Sequence, residues 1–297
     1  MWEDRVLVAD VTPVGEGLIS AFIVVGDEKT AVVDPGPSSS AKRLIQFIRE
    51  EGLTVDYIVP THIHLDHGGG SCLLSGEFKD SIVYVHPRGA PHLADPTKLW
   101  NASRRVLGHV AEVYGEPTPC EESRIRSTSD GERLDLGSVS LVFIHTPGHA
   151  SHHQSVWVPE LKLLFSGDSA GVILFKDGGI AYIPTTPPPF KPDLYLESLE
   201  KMMRLDPLLI APTHYGIHSD AASYLEKHKR QVKEWVQLGL DLARQGVSDP
   251  QVFLDRVKRI DENALFFLEN ENPIVQGSFI HTTAVGIMDY AMRRVSG

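Results

Sequence analysis

Ten residues, Thr61–Gly70 (THIHLDHGGG), constrain this chain more than any other stretch. They place His62, His64, Asp66 and His67 within six positions, directly after the apolar run VDYIVP (Val55–Pro60), which reads as a short buried strand. In an extended or turning backbone, alternate side chains point the same way. His62 and His64 can therefore share one focus, while Asp66 and His67 turn towards a second beside it. Imidazole and carboxylate are donors that suit zinc and related divalent cations. The glycines that follow allow a sharp turn and a close backbone approach. A solvated loop whose histidines cap helices or bond carbonyls would account for a lone histidine. It accounts poorly for three of them, with an aspartate, at the end of a buried strand.

The remainder has the make-up of a folded protein. Of 297 residues, 42% are hydrophobic and 23% charged, which excludes wholesale disorder and fibrous repeats. Lys+Arg number 28 against 39 Asp+Glu, a formal charge of −11. That balance argues against a nucleic-acid or anionic-membrane partner. The N-terminal MWEDRVLVAD carries acidic residues and lacks the apolar core of a signal peptide. No uncharged run approaches the roughly 18 residues of a membrane helix. Cys72 and Cys120 are far apart and form no CxxC pair. Neither a disulfide nor a cysteine zinc cluster is expected, and a reducing cytoplasm fits. Scarce Asn, modest Gln and 20 Pro lean towards a thermophilic source.

Short apolar strands are expected at RVLVAD, LISAFIVVG and TAVVD, with a helix over about 39–51. After the histidine segment come a helix near 69–75, a strand at Ile82–His86 and a mixed helical stretch to about Ser129. The strand pattern resumes at SVSLVFIHT, SVWVP and KLLFSGD. Ile180–Pro192 reads as a proline-rich loop, since Pro lacks a backbone N–H and fixes φ. A helix at about Asp193–Arg204 leads to the strand LLIAP. Long helical patterns follow at Ser219–Gln245, after Pro250 to about Leu268, and from about Ser278 to Arg294. The expected organisation is an α/β domain over 1–217 and a helical C-terminal domain over 218–297.

HxHxDH resembles the signature of the metallo-β-lactamase-fold hydrolases. The other elements of that family's pattern occur in order: Asp34 in AVVDPG, His149 in TPGHASHH, Asp168 in LFSGDS and His214 in IAPTHYG. The resemblance implies an αββα sandwich with a C-terminal helical domain and two divalent metal ions, zinc foremost, with iron or manganese as alternatives. It implies that His62, His64 and His149 hold one ion, that Asp66, His67 and His214 hold the other, and that Asp168 bridges them. Two cations about 3.5 Å apart would generate a bridging hydroxide near neutral pH. Asp66 would be the catalytic residue that orients this nucleophile and relays a proton. Asp34 would bond a ligand histidine or a nearby loop, though a plain turn aspartate before Pro35–Gly36 reads almost as well.

Motif style and layout are most similar to the glyoxalase II (hydroxyacylglutathione hydrolase)-like branch and to archaeal members of it. The function implied is hydrolysis of a thioester, ester or lactone in a small-molecule substrate. Alternatives are a promiscuous lactonase, phosphodiesterase or phosphotriesterase, a mononuclear iron persulfide dioxygenase, and a non-catalytic metal-binding protein. A nuclease is disfavoured by the charge, and a homodimer is an open option. Lys227, Lys229, Arg230 and Lys233 are the basic residues available to a glutathione carboxylate, although a charged helix face is usually only solvated. Truncation after residue 217 is expected to alter substrate preference more than metal content.

Of the other histidines, His145, His152 and His153 are read as structural, and His86, His92, His109, His218 and His228 as surface or packing residues. His281 reads as a buried, hydrogen-bonded residue, with His281 and Tyr290 as possible substrate contacts. Cys72 reads as a small core residue. The loop Ile183–Pro189 reads as a wall of the substrate pocket, its rigid prolines and Phe190 suiting an apolar cleft.

Overall fold

The computed structural model describes residues 2–176 and 179–296. Two six-stranded sheets carry the site. The first has the order β1 (Val6–Asp10), β2 (Ser20–Val25), β3 (Thr30–Val33), β4 (Tyr57–Val59), β5 (Ile82–Val85), β6 (Ile125–Ser127). Its first three strands are antiparallel neighbours and the remaining pairings are parallel. In the second sheet, β7 (Arg133–Asp135), β8 (Ser140–His145), β9 (Gln154–Val158) and β10 (Leu163–Phe165) run antiparallel in succession. A hairpin of β11 (Val172–Lys176) and β12 (Gly179–Ile183) lies outside both sheets. β13 (Leu209–Ala211) then pairs parallel with β10, and β14 (His218–Ser219) closes the edge.

The strands read as continuous apolar runs because both faces are covered. Phe22 and Val24 of β2, Val33 of β3, Phe143 of β8, Val156 of β9 and Phe165 of β10 fill one cluster between the sheets. The alternate residues Ile23, Val32, Trp157 and Leu164 join a larger cluster with the flanking helices. On the first sheet these are α1 (Ala41–Glu50), α2 (Leu65–Gly68), α3 (Ser71–Glu77), α4 (Ala90–Ala94), α5 (Thr97–Leu107) and α6 (His109–Tyr114). On the second it is α7 (Pro192–Met203). A helical C-terminal region follows, with α8 (Ala221–Arg244), α9 (Pro250–Val257), α10 (Glu262–Glu269), a π-helical turn at Val275–Ile280, and α11 (His281–Ser296). Trp235, Phe253 and Ile287 from this region belong to the same larger cluster. The architecture is the expected α/β sandwich with helices outside it.

Three local expectations are corrected. Cys72 and Cys120 are joined in a disulfide across 48 residues; sequence distance concealed that α3 folds back beside the segment after α6. The proline-rich loop begins at Pro184, because residues 180–183 pair as β12 although prolines follow directly. The helix expected to run from Pro250 to about Leu268 is two, since the Asp261 side chain accepts from Asn263 N and starts α10 afresh. Among the described residues, no helix is long and apolar enough to cross a membrane.

Candidate metal centre

The donors gather at one end of the sandwich, each just past the end of a strand. β4 ends at Val59 and delivers His62 and His64, while Asp66 and His67 lie in the single turn of α2. The turn after β8 delivers His149, the turn after β10 delivers Asp168, and the segment after β13 delivers His214. Gly167, at φ 50, makes the Asp168 turn possible. A Cβ there would lie 2.6 Å from Thr61 Oγ1 and 2.7 Å from His153 Nε2.

The seven predicted side chains converge. His62 Nε2 lies 2.8 Å from His64 Nδ1, which lies 3.0 Å from His149 Nε2. His67 Nε2 lies 3.2 Å from His214 Nε2, and Asp66 Oδ2 lies 3.6 Å from the latter. Asp168 spans the two groups. Its Oδ2 is 3.4 Å from His149 Nε2, and its Oδ1 is 3.2 Å from His67 Nε2 and 3.6 Å from His214 Nε2. Three donor triads result: His62, His64 and His149; His62, His67 and Asp168; and Asp66, His67 and His214, with ligand atoms inside each triad within 4.8 Å of one another. Tetrahedral coordination at zinc–nitrogen distances separates donor atoms by roughly 3.3 Å, so this spacing fits such an ion. Asp168 Oδ1 is buried and has no hydrogen-bond partner among the described residues. A bound cation would satisfy it.

The outer nitrogens set the tautomers. His149 Nδ1 donates to Thr185 O at 2.9 Å and His214 Nδ1 to Leu18 O at 2.8 Å. His67 Nδ1 donates to Asp34 Oδ2 at 2.9 Å, and His62 Nδ1 to Thr61 Oγ1 at 3.1 Å. Each Nε2 lone pair is thereby turned into the cluster. Burial holds His62 well below the usual imidazole pKa and also lowers His149 and His214, which keeps them neutral. His67 goes the other way. Burial opposes its charge, but Asp168, Asp34 and Asp66 outweigh burial and hold its pKa well above the usual range. Burial likewise opposes the Asp168 carboxylate, and the facing histidines, His67 foremost, overcome it and hold its pKa well below the usual range. The negative potential that raises the His67 pKa would equally favour a cation, held by Nε2 in place of a second proton.

Asp34 lies beside the cluster rather than in it. Its carboxylate is fully buried and accepts from Thr61 N at 2.6 Å, Thr61 Oγ1 at 2.8 Å, His67 Nδ1 and Thr213 Oγ1. These bonds fix the orientation of His67 and make Asp34 more than a plain turn residue. Thr61 and Thr213 were missed as site residues. Their signal was available, because each directly precedes a converging histidine, in THIH and in PTHY.

A cavity of about 320 Å³ opens on the cluster at His64, Asp66, His149 and Asp168. Leu99, Ala102 and Val106 of α5 form one wall, and Thr185, Pro187 and Pro188 another, as the proline loop was expected to do. From the C-terminal region Ser278, Phe279 and Thr282 reach it. His281 does not line the cavity and is exposed rather than buried, while Tyr290 packs on Phe190 at 6.4 Å between ring centroids. His92 and His152, assigned to packing and structure, line the cavity. His153, read as structural, is fully buried and its Nδ1 lies 2.9 Å from both Thr146 Oγ1 and Ser169 Oγ.

A two-sheet sandwich with histidine and aspartate donors gathered at one end defines a metallo-hydrolase architecture. The chain belongs to the metallo-beta-lactamase superfamily, whose family model matches residues 14–214. It is 32% identical over 231 residues to the metallo-beta-lactamase fold-containing protein ST1585 of Sulfurisphaera tokodaii, covering 76% of this chain and 83% of that protein. The crystal structure of ST1585 superposes with a TM-score of 0.67 over 76% of this chain and 85% of that one. The metallo-beta-lactamase family protein TTHA1429 of Thermus thermophilus shares the fold, with a TM-score of 0.64 at 22% identity, over 80% of this chain and 83% of that one. Hydroxyacylglutathione hydrolase GloC of Haemophilus influenzae is 28% identical over 57% of this chain and 73% of its own length.

Proposed function

We propose that the protein is a metal-dependent hydrolase of thioester, ester or lactone bonds, working with two divalent cations of which zinc suits the donors best. The observation that carries this reading is the bridging position of Asp168, with one oxygen on each donor group and Oδ1 otherwise unpartnered. His62, His64 and His149 would hold one cation, Asp66, His67 and His214 the other, and Asp168 both. Cations so held would make water nucleophilic near neutral pH and draw charge from the bond under attack. Asp66 faces both the donor cluster and the cavity. With Oδ2 beside His214, its Oδ1 is the oxygen left to accept the proton that attacking water gives up and to pass it to the leaving group.

Similarity to GloC supports ester-type chemistry. The cavity favours a substrate with an apolar part, since Leu65, Leu99, Val106, Leu107 and Phe279 face it and Lys98 is the one cation among its described lining residues. None of the basic residues proposed for glutathione lines it, and Lys229 is paired with Glu200 at 3.0 Å. The test is a hydrolysis screen of the metal-assayed protein on thioesters, lactones, aryl esters and phosphodiesters. The double variant His62→Ala/His64→Ala runs beside it. Turnover is expected from the parent, none from the variant, and an unchanged circular dichroism spectrum from both. Turnover retained in the folded variant would refute the reading, as would a parent that carries metal and hydrolyses no ester-type bond.

A further inference from the structure

The turn that carries Asp168 is held from behind by helices that contribute nothing to the donor cluster. Tyr195 of α7 donates its hydroxyl to Asp168 O at 3.2 Å, and the same hydroxyl lies 3.0 Å from His228 Nε2 of α8. Tyr224 of α8 donates to Ala170 O. His228 also packs directly on Gly171. A Cβ there would lie 2.5 Å from its Cε1 and 2.4 Å from Ile183 O, so the turn has no room to move towards α8. Tyr195 and His228 are fully buried and Tyr224 nearly so.

The network continues outward with its polarity fixed. Gln231 spends both amide hydrogens on Tyr182 O at 2.9 Å and Asp261 Oδ2 at 2.7 Å. Its Oε1 therefore faces His228 Nδ1 at 3.2 Å as an acceptor, and Nδ1 must be the protonated nitrogen. His228 Nε2 is then an acceptor, and the single Tyr195 hydroxyl hydrogen is shared between it and Asp168 O. Trp235 Nε1 donates to the same Asp261 Oδ2 at 2.9 Å, which anchors the chain of bonds at the start of α10.

We propose that Tyr195, Tyr224 and His228 are positioning residues that set where the Asp168 carboxylate stands between the two donor groups. The inference rests on Asp168 being a metal ligand, as the proposed function has it. Through Tyr224 and His228 it gives the C-terminal region a part in metal binding, against the expectation that truncation after residue 217 would alter substrate preference more than metal content. Groups that orient ligands from behind govern metal affinity by about 10–100-fold.

Tyr195→Phe and, separately, Tyr224→Phe each remove one oxygen from the full-length protein. Competition with a chromogenic chelator is expected to show zinc bound about tenfold more weakly in each variant. The visible absorption of the cobalt(II)-loaded protein is expected to shift as well, a change that lost stability alone would not produce. Zinc affinity within about twofold of the parent in both variants, with native circular dichroism, overturns the proposal. Affinity is read without substrate. A parent that binds zinc but hydrolyses nothing therefore counts against the hydrolase reading alone, and one that takes up no zinc counts against both.

Discussion

Asp34 shows how much one residue can organise. Its fully buried carboxylate joins β3 to Thr61 after β4 and to Thr213 after β13, and it orients His67. Asp34→Asn keeps the shape and removes the charge, so zinc affinity should fall about 10–100-fold in a protein that still folds, as chelator competition would show. Its role was only half legible, because the bond to Thr213 Oγ1 spans 179 positions and no local pattern reports such a partner. His86 and His228 matter for a different reason. Burial lowers each pKa from 6.5 to about 4. The unfolded chain thus binds protons on both below pH 6.5 while the folded protein resists them until about pH 4. Their contribution is present above pH 6.5 and lost as the pH falls through that window. Thermal midpoints of the metal-free protein should decline over this range, and His228→Gln should flatten the decline.

Among the elements, the segment between the HxHxDH motif and β6 was the least legible. Its helices are short and their apolar faces look towards a cavity as well as a core, so periodicity alone assigned a mixed stretch. α5 has no fully buried residue, yet it supplies Leu99, Ala102 and Val106 to the cavity wall. Ala102→Trp should raise KM tenfold or more, about 1.4 kcal/mol of lost binding, without changing metal content. The Cys72–Cys120 bond closes a loop of 48 residues that contains α4, α5 and α6. In the chain-entropy account such a link contributes about 4 kcal/mol. Cys72→Ser/Cys120→Ser should therefore unfold at markedly lower denaturant, and an unchanged midpoint would show the link to be energetically idle. The proline loop, by contrast, was legible in its role, because fixed φ angles and missing donors confine such a segment to a surface or a cleft.

At the scale of the molecule, the sandwich could be read from the order of five motif elements between residues 34 and 214, with apolar runs whose alternate residues serve two cores. The interleaving of the C-terminal helices with the Asp168 turn could not be read, since the helical spacing of Tyr224, His228 and Gln231 marks a buried face of α8 but not the partner that it meets. If cations bind the folded state alone, free zinc at about 100 times its dissociation constant should add about 2.7 kcal/mol of stability. Unfolding scans with and without chelator would check this. The donors come from strand ends scattered between His62 and His214. On the ribosome, a growing polypeptide therefore has no complete ligand set until most of it has emerged. Full coordination, as the proposed function has it, would form late, in a body already shaped to receive the ions, although four of the donors emerge together in Thr61–Gly70.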